Sequence, residues 1–369
     1  MSADDELIPE VTPATGCAPP AKPGPGFLLS VGFWFLLLLV QLTVSSGVGL
    51  SVAWLRHVAR DQTSDDFPAD RTATSVDNLM QEFNHPAVLL ATLASSVLTT
   101  CFVALIIVSL RDGRSMRRTM AFRRPHLGHV VLLVLLALPT MLVASEIGTW
   151  AQRYMPRLEG AQQAYMHIAE SSWLIVVLVG ALLPAFGEEL FFRGLLGRGL
   201  TARYGMGLGI LGTSILFGLM HLDPPQVVAT ALLAVPFHLV YLWGKSIWVP
   251  ILAHGLNNAL AFNLMRLPTD SRWRLVLGGD DHALVPPLVI IPAVICFLSL
   301  LWLFFSCRTR WVNRNGIVWS PGYMTAEMPP AELDASPQTT RPGPLPLAVT
   351  AISWVVLGAA ILWEVNSHS

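Results

Sequence analysis

The chain has 369 residues, of which 53% are hydrophobic and 13% charged, with a net charge of -1. Soluble domains carry about 25% charged residues, so half that share argues against a soluble globular fold and for a membrane protein. No basic helix with interleaved aromatics is present, which excludes a nucleic-acid surface, and the scattered Cys17, Cys101, Cys296 and Cys307 form no C-x-x-C pair.

Residues 1–25 hold four acids among the first ten positions and several prolines. They read as a disordered cytoplasmic tail rather than the basic start of a secretory signal. From Phe27 to Leu55 the chain is apolar and long enough for a tilted span. Further apolar runs follow near 86–110, 127–147, 172–199, 207–222, 226–243, 247–265, 284–306 and 346–363. The expected fold is therefore all-α, a polytopic transmembrane bundle of about eight or nine spanning helices.

Loop charge gives an orientation. Residues 111–126 carry Arg111, Arg114, Arg117, Arg118, Arg123 and Arg124 against Asp112, whereas 56–86 is dominated by acids such as Asp61, Asp65, Asp66 and Asp70. The positive-inside rule puts the arginine loop, and with it the N-terminus, in the cytoplasm and the acidic loop outside. Arg198, Arg203, Lys245 and the Arg308–Arg310–Arg314 cluster then also fall inside. The expected organisation is a tail (1–25), an N-terminal transmembrane pair with its two loops (26–126), a core (127–306), a Pro-rich cytoplasmic linker (307–344) and a C-terminal transmembrane helix (345–369). That last helix could instead lie against the bundle without crossing.

Three polar sites interrupt the apolar runs. The first is Glu188, Glu189 and Arg193 within Pro184–Gly194. Ionisable side chains at membrane depth are costly and mark function more often than packing. Adjacent helical residues point about 100° apart, so the two glutamates cannot both face one cavity squarely. Glu189 lies four residues before Arg193, the favourable order for an ion pair. That leaves Glu188 without a local partner and makes it the candidate general base. Taken alone, the pair could equally sit in a surface loop, with Pro184 ending the helix.

The second site is Phe217 with His221, and the third is His254 with Asn258, which share a helix face four residues apart. In isolation His221 could be a packed core histidine, and His254 with Asn258 an interhelical hydrogen-bond pair. Depth tests whether the sites meet. At about 1.5 Å rise per residue, Glu188 lies roughly 18 Å, His221 roughly 21 Å, His254 roughly 10 Å and Asn258 roughly 16 Å from the cytoplasmic helix ends. All four fall inside a hydrocarbon slab about 30 Å thick.

The blocks E-E-x-x-x-R (Glu188–Arg193), F-x-x-x-H (Phe217–His221) and H-x-x-x-N (His254–Asn258) occur in this order. Together they resemble the CPBP family of intramembrane proteases, which includes type II CAAX prenyl endopeptidases and relatives active in bacteriocin processing and self-immunity. Phe192 and Gly194 extend the match, which covers roughly 127–265. The resemblance implies a membrane-embedded endopeptidase in which Glu188 activates water with help from His221, while His254 and Asn258 stabilise the oxyanion. Glu189, Arg193 and Phe217 are the supporting residues.

The family has been described both with and without a metal. Glu188, His221 and His254 would form a His₂Glu zinc set, but no H-E-x-x-H motif is present, and the metal-free mechanism is preferred with no cofactor favoured. The implied partners are a membrane-associated peptide or protein, prenylated or leader-bearing, and the lipid bilayer, with substrate entering laterally or from the cytoplasmic side. The rival readings are a proton- or ion-coupled transporter and a non-catalytic membrane scaffold or immunity protein.

Overall fold

The computed structural model describes residues 24–63, 82–83, 85–158, 161–279 and 284–367. Residues 1–23 of the expected tail over 1–25 and most of the acidic loop over 56–86 lie outside the described residues. The long helices are α1 (Phe27–Thr63), α2 (Pro86–Asp112), α3 (Leu127–Gln152), α4 (Ala161–Glu170), α5 (Trp173–Leu219), α6 (Pro224–Gly244), α7 (Trp248–Met265), α8 (Pro287–Ser306) and α9 (Pro344–Asn366).

Among the described residues seven helices are long and apolar enough to cross a membrane: α1, α2, α3, α5, α6, α8 and α9. The protein is an integral, multi-pass, all-α membrane protein. The α7 helix stands outside that set because His254, Asn257, Asn258 and Asn263 dilute its apolar residues. Side chains such as Leu39, Phe102, Ile106, Leu298 and Val355 are exposed around the outside. A bilayer covers such a surface, and it is why these helices are apolar nearly all round rather than on one stripe.

The 47-residue α5 helix holds the expected spans 172–199 and 207–222. It breaks at Gly205, whose φ of 80° is open to glycine and strained for other residues. The chain folds back there into α5a (173–204) and α5b (206–219). A Cβ on Gly209 would stand 2.5 Å from the Thr201 backbone, so the hairpin closes only with glycine at this approach. With α7 and the two halves of α5 counted separately, nine helical segments correspond to the nine apolar runs.

Pro184 does not end α5a. The proline ring clashes with a carbonyl in a regular ladder, and here the preceding turn widens: Val176–Leu182 is π-helical and Leu183 N–H bonds Leu178 O. A second wide stretch, Leu190–Gly197, follows the glutamates. Such π-turns are rare and collect at functional sites.

Two packed cores meet along α6 and α7. One joins them to α1, α2 and α5 through Leu37, Ala104, Phe191, Phe192, Phe217 and Tyr241. The other joins them to α3, α8 and α9 through Leu136, Phe237, Val249, Ala293, Phe304 and Leu357. The C-terminal α9 packs on α8 through a polar clasp, with Ser299 Oγ 3.0 Å from Ser353 Oγ and Thr350 Oγ1 donating to Ser299 O at 3.2 Å. Such hydroxyl contacts help hold helices together where water is absent.

Residues 307–344, expected as a linker, are ordered. Strand β1 (Thr309–Val312) pairs antiparallel with β2 (Ser336–Thr339), Thr309 opposite Thr339 and Val312 opposite Ser336. Between the strands, 318–335 straps one end of the bundle. Ala326 is buried in the first core, Met328 N–H bonds Arg118 O at 3.1 Å, Arg118 pairs with Glu327 at 3.4 Å, and Lys245 Nζ donates to Thr325 O. Arg123 caps the C-terminal end of α6, donating to Gly244 O at 2.6 Å and Lys245 O at 2.9 Å while lying over Trp311. The basic loop 111–126, Arg198, Lys245 and the strap thus share one end of the molecule, as the loop charges require if that end is cytoplasmic.

Candidate active site

Glu188 and Glu189 sit on the seven-residue α-helical piece Leu183–Glu189, between the two π-wide stretches. Their side chains diverge as helix geometry demands, and His254 of α7 occupies the sector between them. Glu189 is completely buried; its Oε1 accepts from Arg193 Nη1 at 2.8 Å and from His254 Nδ1 at 2.9 Å. Glu188 faces a cavity, 20% exposed at its side chain, with Oε2 3.9 Å from His254 Nε2. That Oε2 is buried and has no hydrogen-bond partner.

Arg193 completes the support. It is wholly buried, donates Nη2 to Ala234 O at 3.0 Å and lies 4.7 Å over the Phe217 ring. Phe217 in turn meets His221 at 5.2 Å and His254 at 5.8 Å between ring centroids, and Phe237 stacks on His254 at 5.4 Å. The imidazole of His254 is therefore wedged between two aromatic rings and tethered at Nδ1. Because a carboxylate only accepts, Nδ1 carries the proton and Nε2 is the atom offered to the cavity.

His221 follows the C-terminal end of α5b. Its Nδ1 lies 3.2 Å from Phe217 O and 3.4 Å from Thr230 Oγ1. Donation to the carbonyl leaves Nε2 with a free lone pair.

The cavity encloses about 520 Å³ and is lined by Glu188, Phe217, His221, His254 and Asn258 together. The fold thus brings the three sequence blocks to one cavity. The cavity occupies the half of the bundle away from the strap, towards Gln152, Arg157 and Asp223.

The sequence blocks did not single out Tyr165, Gln226, Thr230, Asn257 or Gln41, which line the same space. Tyr165 Oη and the Gln226 amide bond each other at 3.0–3.1 Å, and burial pushes the Tyr165 phenol above its usual range, so the hydroxyl stays protonated. Asn257 carried a signal, since a residue three after His254 shares its face as one four after does. Among the described residues no group of three or more His, Cys, Asp or Glu side chains is placed to hold a metal ion. Glu188, His221 and His254 share the cavity without forming such a set, and His254 spends Nδ1 on Glu189.

Residues 170–260 match the Rce1-like family, described as type II CAAX prenyl endopeptidase Rce1-like. This segment is similar to the core of the CPBP family. It holds Glu188, Glu189, Arg193, Phe217, His221, His254 and Asn258. The chain is also 24% identical over 112 residues to the Bacillus subtilis protein named "Putative membrane peptidase YdiL", covering 28% of this chain and 46% of that one. The match thus spans under half the length of that relative. No solved structure matches the chain.

Proposed function

We propose that the protein is an intramembrane endopeptidase in which Glu188 activates the attacking water. The observation that carries this reading is the Glu188 carboxylate itself: one oxygen buried and unpartnered at a cavity wall that also presents His221, His254 and Asn258. A water between Glu188 and His221 Nε2 would meet two acceptors, which orients both its hydrogens away from the bond to be attacked. Glu188 takes one proton as the water oxygen bonds the carbonyl carbon. Asn258 Nδ2 and a protonated His254 Nε2 are the donors for the developing oxyanion, with Glu189 the carboxylate that holds that imidazolium charge once Glu188 has taken its proton. Collapse breaks the C–N bond, and the proton on Glu188 passes to the leaving amine.

The family match and the named relative support a peptide as substrate, prenylated at its C-terminus or bearing a leader. Position in the bundle supports entry laterally or from the end that carries Arg157. The loop charges support a cytoplasmic strap and N-terminus.

The test is peptide release by purified protein in detergent, on an internally quenched set with prenylated and unprenylated C-termini. Glu188→Gln is expected to lower the rate about 10²–10⁴-fold, with an unchanged melting temperature, and His221→Ala to lower it by a smaller factor. Full activity of Glu188→Gln would overturn the mechanism, and solute flux without cleavage would favour a transporter. Activity that survives thorough chelation would exclude a required metal.

A further inference from the structure

The cavity wall holds acceptors that no protein donor meets. Glu188 Oε2, Asn257 Oδ1 and Gln41 Oε1 are each buried without a hydrogen-bond partner. They come from three different helices, α5, α7 and α1, and all three residues line the cavity. Asn257 is 7% exposed. Gln41 donates Nε2 to Ser96 Oγ at 2.5 Å, which leaves Oε1 as its free end. Unmet acceptors are costly in any interior and more so where a bilayer excludes water. The attacking water accounts for Glu188, but neither amide oxygen has an assigned donor.

We infer that Asn257 and Gln41 are substrate-recognition residues that accept backbone N–H groups from an extended peptide. This rests on the peptidase reading. A peptide drawn into a membrane cavity brings N–H donors that have themselves lost water, so each side satisfies the other. Along an extended chain successive N–H groups point to opposite edges, about 3.3 Å apart along the strand, so a single strand can offer donors to acceptors on two different helices. Gln41 lies outside the matched segment 170–260, so it selects substrate through a helix separate from the one that supplies the base. The arrangement rejects a substrate with proline or an N-methyl group at either matched position.

The experiment uses full-length protein and the peptide cleaved fastest in the set above. At each non-scissile position, one amide N–H is replaced by an ester oxygen, which removes the donor and keeps the chain geometry. In wild type, one such ester is expected to raise KM about fivefold to tenfold, as the loss of a single hydrogen bond does, with kcat within about twofold. Asn257→Leu is expected to raise KM by a similar factor on the parent peptide and to add nothing on that ester. Gln41→Leu should couple in the same way to an ester at a different position. If Asn257→Leu is not monodisperse on gel filtration, the Gln41 cycle decides. Additive losses at every position, or an unchanged KM in the variants, overturn the inference while leaving the peptidase reading intact. Failure of wild type to cleave any peptide in the set overturns both.

Discussion

One helix carries two buried arginines five residues apart, and they are used in opposite ways. Arg193 pairs with Glu189 at 2.8 Å in a cluster that ends at an open cavity and an unpartnered Glu188 oxygen. Arg198 pairs with Asp112 at 2.5 Å, and the same Asp112 oxygen accepts from Thr119 Oγ1 at 2.8 Å. That second cluster sits beneath the strap and ties α2 to α5. Charge in the first borders an open cavity, whereas charge in the second is enclosed by protein. Buried ion pairs alone do not distinguish the two; the cavity does.

Breaking the first cluster is expected to do the most damage. Arg193→Met leaves the Glu189 carboxylate fully buried with only His254 beside it, and removes the cation above Phe217. Losing one partner of such a pair destabilises by about 3–5 kcal/mol. The expected outcome is a large fall in detergent melting temperature together with loss of peptide release, because the Glu189 carboxylate that anchors His254 loses its counter-charge. Retained activity at a normal melting temperature would show that Glu189 and His254 hold their geometry without the arginine.

The second cluster should separate stability from chemistry. Asp112→Asn keeps the shape but removes the charge facing Arg198. A charge-assisted hydrogen bond of this kind contributes about 1.5–3 kcal/mol. The variant should therefore melt earlier while each folded molecule cleaves peptide within about twofold of wild type. A loss of kcat comparable with that of Arg193→Met would mean that the strap end is coupled to the site.

The contrast also explains what could be read from the chain. The glutamate pair, His221, His254 and Asn258 were legible because an ionisable or amide side chain stands out in an apolar run, and helical spacing says which of them share a face. The Glu189–Arg193 pair followed from its i,i+4 order. What escaped depends on contacts between segments far apart in sequence. Gln41 and Tyr165 belong to helices that carry no motif, and their place at the cavity comes only from packing. Residues 307–344 have the proline and threonine content of a linker, and their order comes from Arg118, Thr201 and Lys245, more than a hundred residues away in two cases. Gly205 is one of several glycines between 205 and 212, and nothing local says which of them turns the chain.

The smallest expected effect concerns how the strap is held. Burial lowers the Lys245 ammonium from its usual range to about 8, at a left-handed position (φ 52°) just past α6. In the unfolded chain the same group titrates near 10.4. Between these values the unfolded chain holds a proton that the folded protein lacks, so stability rises with pH through this window and is independent of Lys245 well below 8. The gain from pH 8 to 9 is no more than about 1 kcal/mol for one proton. Lys245→Met should remove that slope, which melting curves of the two proteins at pH 7, 8 and 9 would show as a difference shrinking towards high pH. The variant also lacks the donor to Thr325 O, so a constant offset between the curves is expected in addition. A slope identical in both proteins would mean that the ammonium is solvated and the strap is held by Ala326, Met328 and the Arg118–Glu327 pair alone.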